Sequence, residues 1–214
     1  MHEVHYLVGY HPEKLFSPYY KLPEGTPMND TVYYLPGRGG EITTGLGQGL
    51  LDRGFSVVGR ETRGAFLRLN FQQQLDAVRS DLQGEFWHED AKLIAVSYGC
   101  YLFLHTQLGM PAFPGRVLLL SPVLGGAFSD TAGVGFVPPR ADQLGQAVTR
   151  REFPHLGQAE IHVGSEDWQS NPEAVRAFGE RVSVPVTVVE GRGHMLGVDY
   201  VGPLLDRWQG AAEH

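Results

Sequence analysis

Residues 92–108 read KLIAVSYGCYLFLHTQL, and the join inside this stretch decides the fold. Leu93–Val96 is a short apolar run of the kind that forms a strand covered on both faces. Tyr98–Leu108 is apolar nearly all round, as a helix in the middle of a domain should be, and Gly109 with Pro111 would stop it. Only Ser97 lies between the two, so strand must become helix at a serine. A turn that tight crowds the positions two before and two after it, and these hold Ala95 and Gly99. The N-terminus of the following helix favours negative charge developing near the hydroxyl.

Working outward, four more runs resemble the first: Thr31–Leu35 (TVYYL), Phe55–Val58 (FSVV), Val117–Leu120 (VLLL) and Val186–Val189 (VTVV), with a weaker sixth at Ile161–Val163 (IHV). Helical periods fall between them. Phe71, Leu75, Val78 and Leu82 make one apolar stripe, and Val175, Phe178 and Val182 make another behind an Asn171 cap and Pro172. Val201, Leu204, Leu205 and Trp208 make a third. In Glu41–Leu51, Ile42, Leu46 and Leu50 are in register, but glycines at 45, 47 and 49 weaken the helix. Strands alternating with helices predict an α/β domain with a mostly parallel, doubly wound sheet and helices on both faces. Its chemistry should gather at the carboxyl ends of the strands.

Composition narrows the function. The chain has 214 residues, which predicts one domain over 1–214, and its 42% hydrophobic content excludes wholesale disorder. Seventeen basic residues against 24 acidic ones leave a net charge of −7, without the basic footprint of a nucleic-acid binder. A single cysteine, Cys100, excludes an internal disulfide and any multi-cysteine metal site, and its place in the helix predicts a buried small hydrophobe. No run approaches the roughly 18 apolar residues of a membrane span. The opening MHEVHYLVGY has neither a basic leader nor a long apolar core, so a cytoplasmic protein is expected, with no membrane partner. Val4–Tyr10 could form an extra edge strand. His2, His5 and His11 fit no firm metal pattern, and His88-Glu89-Asp90 reads as a solvated loop. The glycine-rich GRGGEITTGLGQG lacks both Gly-Lys-Ser/Thr and the G-x-G-x-x-G spacing, which argues against a nucleotide loop.

A serine nucleophile needs a base held by a third group. After Ile161–Val163 comes GSEDW, which offers Asp167 and its neighbour Glu166. After Val186–Glu190 comes GRGHM, which offers His194. The interval between them has room for one helix and one strand, so adjacent parallel strands would bring carboxylate and imidazole together.

On these residues the chain, from about Thr31 to its C-terminus, resembles the α/β-hydrolase superfamily: YLPGRGG after the first core strand, AVSYG at the elbow, VGSEDW and EGRGHM. The resemblance implies Ser97 as nucleophile, His194 as general base and then acid, and Asp167, favoured over Glu166 by its offset from Gly164, as the group that orients the imidazole. It also implies an oxyanion hole from the backbone N–H groups of Tyr98 and Arg38, with Gly39 as the alternative second donor. The loop lacks the histidine of lipase-like relatives. No metal or organic cofactor is implied.

Relatives insert a cap after the fourth core strand. Here that interval, with Leu124, Phe128, Phe136 and Val137 and then a polar stretch fit for one helix, is too short for a large lid. A small or absent cap and an open site are expected. Trp168 and Met195 would form apolar walls, and Arg38, Arg60, Arg63 and Arg192 would reach the rim, placed to hold an anionic part of a substrate. The reading is a serine hydrolase for a small-molecule ester or thioester. An amidase or peptidase on the same residues, and a non-catalytic binding protein on the same fold, are the alternatives.

Overall fold

The computed structural model describes residues 31–126 and 138–210. Six strands, β1 (Thr31–Leu35), β2 (Ser56–Gly59), β3 (Lys92–Val96), β4 (Arg116–Leu120), β5 (Ala159–Gly164) and β6 (Val186–Val189), form one sheet in the order β2-β1-β3-β4-β5-β6. Every pairing is parallel. Among the described residues seven helices accompany them: α1 (Leu46–Leu51), α2 (Gly64–Arg68), α3 (Phe71–Glu85), α4 (Tyr98–Gln107), α5 (Gln143–Thr149), α6 (Pro172–Val182) and α7 (Val198–Gly210).

Side chains alternate across the pleat, so each strand feeds two cores. Tyr33, Leu35, Leu93, Ala95, Val117 and Leu119 face one core, which α3, α4, α5 and α6 close with Leu75, Val78, Tyr101, Val148 and Phe178. Val32, Tyr34, Ile94, Leu118 and Leu120 face the other, closed by Ile42, Leu50, Leu204, Leu205 and Trp208 from the α1 and α7 side. Covering both faces is why the strands read as unbroken apolar runs. All ten residues of α4 are buried, in keeping with its nearly uniform apolar sequence.

The strand order reverses once. From β1 the chain steps to the edge at β2, then returns to lay β3 on the other side of β1 and builds outward from there. The connections leaving β1 and β3 therefore run toward opposite edges of the sheet, and the carboxyl ends of these two strands are its topological switch point.

Several elements differ from the sequence expectation. Of Glu41–Leu51 only the last six residues are helical. A Cβ at Gly47 would lie 1.9 Å from the Ile42 carbonyl oxygen, so the chain before it is folded too closely to continue the helix. α2 is five residues long, too short to show a period. The weak Ile161–Val163 run is a six-residue strand with neighbours on both sides. Its signal is diluted by His162, which turns to the α7 side and places Nδ1 2.8 Å from the Tyr200 hydroxyl. The proposed edge strand at Val4–Tyr10, the histidines at 2, 5 and 11, and Phe128, Phe136 and Val137 lie outside the described residues. Among the described residues between β4 and β5, α5 is the one helix. No helix among the described residues is long and apolar enough to cross a membrane.

Candidate active site

β3 ends at Val96, and Ser97 caps α4 with φ 52° and ψ −112°. A non-glycine residue at positive φ is strained, and the direct passage from strand to helix at Ser97 carries that strain. The crowding expected two residues on is severe: a Cβ at Gly99 would lie 2.1 Å from the Leu35 carbonyl oxygen and 2.8 Å from that of Pro36. Only glycine lets α4 start against the end of β1. Two residues before the serine, Ala95 is fully buried.

β5 and β6 are neighbours, and the loops that follow them are tied together. The Ser165 N–H donates to the Val189 carbonyl at 2.9 Å, and the Glu166 N–H donates to that of Arg192 at 2.8 Å. Gly164 permits this approach, because a Cβ there would lie 2.1 Å from the Arg192 oxygen. Asp167, fully enclosed at its side chain, accepts two backbone N–H groups at Oδ1, from Gln169 at 2.9 Å and Ser170 at 2.8 Å. The same carboxylate faces His194, whose Nδ1 stands 2.9 Å from Oδ2 and 3.0 Å from Oδ1. His194 Nε2 lies 2.8 Å from Ser97 Oγ. With Nδ1 against a carboxylate, the proton belongs on Nδ1, and Nε2 is left to accept the serine O–H. Ser97, His194 and Asp167 thus form one hydrogen-bonded line. Glu166, the competing carboxylate, is not in it.

The loop after β1 lies beside the serine: a Cβ at Gly37 would be 3.4 Å from Ser97 Cβ. Thr62, fully buried in the connection from β2 to α2, braces this loop from below. Its N–H donates to the Gly40 carbonyl at 3.1 Å, its carbonyl accepts the Gly39 N–H at 2.7 Å, and its hydroxyl donates to the Gly37 carbonyl. The Gly39 N–H, the alternative to that of Arg38 in the sequence reading, is thus already donated to Thr62. Tyr98 is the first residue of α4. Its phenol turns inward to the Gln74 side-chain oxygen at 2.9 Å, and burial pushes it up to about 12.

The rim differs from expectation in its charges. Arg60 makes two 2.6 Å contacts with Asp81, which also accepts the Tyr33 hydroxyl. Arg63 is paired with Glu61 at 2.8 Å and with Glu41, and Arg192 is paired with Asp199. Three of the four arginines expected to meet an anionic substrate are thus neutralised by carboxylates of the chain itself. Trp168 and Met195, which directly follow Asp167 and His194 in sequence, are 69% and 80% exposed. Cys100 is buried, with Sγ 3.6 Å from the Leu120 carbonyl, and burial pushes its thiol far above the usual range.

No protein-family model matches the sequence, and no curated protein does. Solved structures do match. A protein of the alpha/beta superfamily of hydrolases from Xanthomonas campestris pv. campestris superposes with a TM-score of 0.60 at 14% identity, over 86% of this chain and 99% of its own. A monoacylglycerol lipase from Paleococcus ferrophilus gives 0.55 at 16% identity, covering 86% and 95%. An esterase from Rhodococcus sp. gives 0.54 at 14% identity, covering 84% and 90%. The chain has the α/β-hydrolase fold. Within that fold, Ser97 stands where strand β3 meets the central helix, and Asp167 and His194 stand after the two strands that follow β4.

Thr62, Ser121 and Ser170 were not singled out from sequence. Ser121 follows VLLL much as Ser97 follows LIAV, which is a visible signal, but no apolar helix comes after it. Nothing local marks Thr62 or Ser170, whose partners are backbone groups of distant loops.

Proposed function

We propose that this protein is a serine hydrolase that cleaves an ester or thioester of a small or exposed substrate through an acyl-enzyme. The observation that carries the reading is the continuous contact from Ser97 Oγ through the His194 ring to Asp167, at 2.8 and 2.9 Å. Ser97 Oγ attacks the substrate carbonyl while His194 Nε2 takes its proton. Asp167 holds the Nδ1–H and stabilises the imidazolium that forms. The tetrahedral intermediate places its oxyanion toward the N–H groups of Tyr98 and Arg38. His194 then hands the proton to the leaving oxygen or sulfur. Water enters, loses a proton to Nε2 and attacks the acyl-enzyme carbonyl; the bond to Ser97 Oγ then breaks, Nε2 returns its proton to Oγ, and the acid is released.

The lipase and esterase among the similar folds support the hydrolase class. Exposed Trp168 and Met195 would give an apolar rim, and the paired arginines favour neutral over anionic substrates. A fluorophosphonate probe tests the chemistry directly. Wild type should be labelled at one site at neutral pH, and Ser97→Ala should lose the label completely. An unlabelled wild type would instead favour a binding protein on the same fold.

A further inference from the structure

We propose that Ser121, at the carboxyl end of β4, is a positioning residue that holds the acid and base loops over the nucleophile. The inference rests on the hydrolase reading above. β3 carries Ser97, whereas Asp167 and His194 follow β5 and β6, so His194 must reach back across the end of β4 to touch the serine. Ser121 stands at that crossing, only 1% exposed.

Its polar groups are used on two loops and on the neighbouring strand. The Ser121 hydroxyl donates to the His194 carbonyl at 2.8 Å. Its carbonyl accepts the Ser170 hydroxyl at 2.8 Å, and the Ser170 N–H in turn donates to Asp167 Oδ1 at 2.8 Å. Its own N–H donates to the His162 carbonyl on β5 at 2.8 Å. The preceding residue, Leu120, accepts the Ser97 N–H at 2.9 Å. One residue and its neighbour therefore touch the supports of all three members of the line.

Ser121 is also held at φ 47°, a conformation costly for a residue with a side chain. Glycine would adopt it more easily, yet glycine has no hydroxyl for His194. The strain and the hydroxyl can therefore be separated by substitution. S121G removes both the strain and the hydroxyl. S121T keeps the hydroxyl and, being β-branched, raises the strain.

If Ser121 positions the base, the rate per folded molecule follows the hydroxyl and not the stability of the variant. In S121G the relieved strain and the lost donor to the His194 carbonyl act on stability in opposite directions, whereas the probe-labelling rate and kcat of the folded protein should fall on the order of 10-fold to 100-fold, with KM little changed. S121T should be less stable and keep most of the rate per folded molecule. An S121G enzyme with wild-type kcat overturns the proposal, as does a loss confined to KM. Should S121T fail to fold, the comparison of S121G with wild type alone decides. A wild type that takes no label removes the hydrolase reading itself, whereas a labelled wild type with an unaltered S121G rate removes only the role of Ser121.

Discussion

Gly99 shows how much a single missing carbon matters in this molecule. Its place in the second turn position after Ser97 sets α4 against the carbonyl ends of β1, and a Cβ there would overlap backbone oxygen from Leu35 and Pro36. Backbone cannot swing aside as a flexible side chain does, so Gly99→Ala must push α4 away from the sheet. We expect a destabilisation of roughly 2–4 kcal/mol despite alanine's better helix propensity. The urea midpoint checks this, and labelling of the folded fraction should fall as Ser97 moves off His194. Unchanged stability would mean that the Leu35–Pro36 carbonyls yield readily. At the same scale, Asp167 accepts two backbone N–H groups as well as the imidazole, so its carboxylate is held fixed toward the His194 ring.

At the scale of elements, the loop after β1 and the connection after β2 behave as one unit, because Thr62 bonds to four positions of the Pro36–Gly40 segment. Thr62→Val preserves the side-chain volume and both backbone contacts and removes only the hydroxyl. The Gly37 carbonyl then loses a donor in a buried place, at about 1–3 kcal/mol. If the Arg38 N–H serves the oxyanion, slackening the loop should also cost part of the roughly 3–4 kcal/mol that a complete donor supplies. The expected result is a fall in kcat of about 10-fold with KM nearly constant, and Thr62→Ser should restore it. Equal activity of the valine and serine variants would show that the hydroxyl does not brace the loop for catalysis. Elsewhere, α3 is secured by its own ends: Asn70 and Gln73 each accept the other's backbone N–H at 3.0 Å, which satisfies two donors that a helix start leaves open.

Across the whole molecule, a buried histidine gives an expected response to acid. His105 lies in α4, 2% exposed, its ring 4.0 Å from that of Tyr101 and 5.4 Å from that of Phe71. Burial lowers its pKa from 6.5 to about 4. The unfolded chain, with an ordinary histidine, binds the proton first as pH falls through about 6.5, whereas the folded chain resists until about 4. Stability from this residue is therefore complete above pH 6.5 and drains away between 6.5 and 4, by about 3 kcal/mol in all. His105→Gln cannot titrate, so the difference in unfolding free energy between wild type and variant should shrink in that window. Urea melts of both proteins at pH 7 and pH 4.5 measure it. A constant difference would show that the buried ring does not set the acid sensitivity.

The legible part of this protein is the part encoded over short distances. LIAV followed by Ser97 and YGCYLFLH carries a strand, a turn and a helix in one continuous stretch, because burial on both faces leaves an unbroken apolar signature and steric crowding leaves Ala95 and Gly99. The same local logic located Asp167 and His194 beyond their strands, and it reached all six strands, though only weakly for β5, where His162 interrupts the pattern. The pairing of Arg60 with Asp81, of Thr62 with the Pro36–Gly40 loop and of Ser121 with His194 was not legible. Each joins groups separated by tens of residues through a backbone carbonyl or a carboxylate, and a carbonyl is present at every position. Residue type therefore carries no mark of which one will be met. The order β2-β1-β3-β4-β5-β6 chooses these partners, since it lays the β1 loop beside Ser97 and makes the histidine loop cross the end of β4.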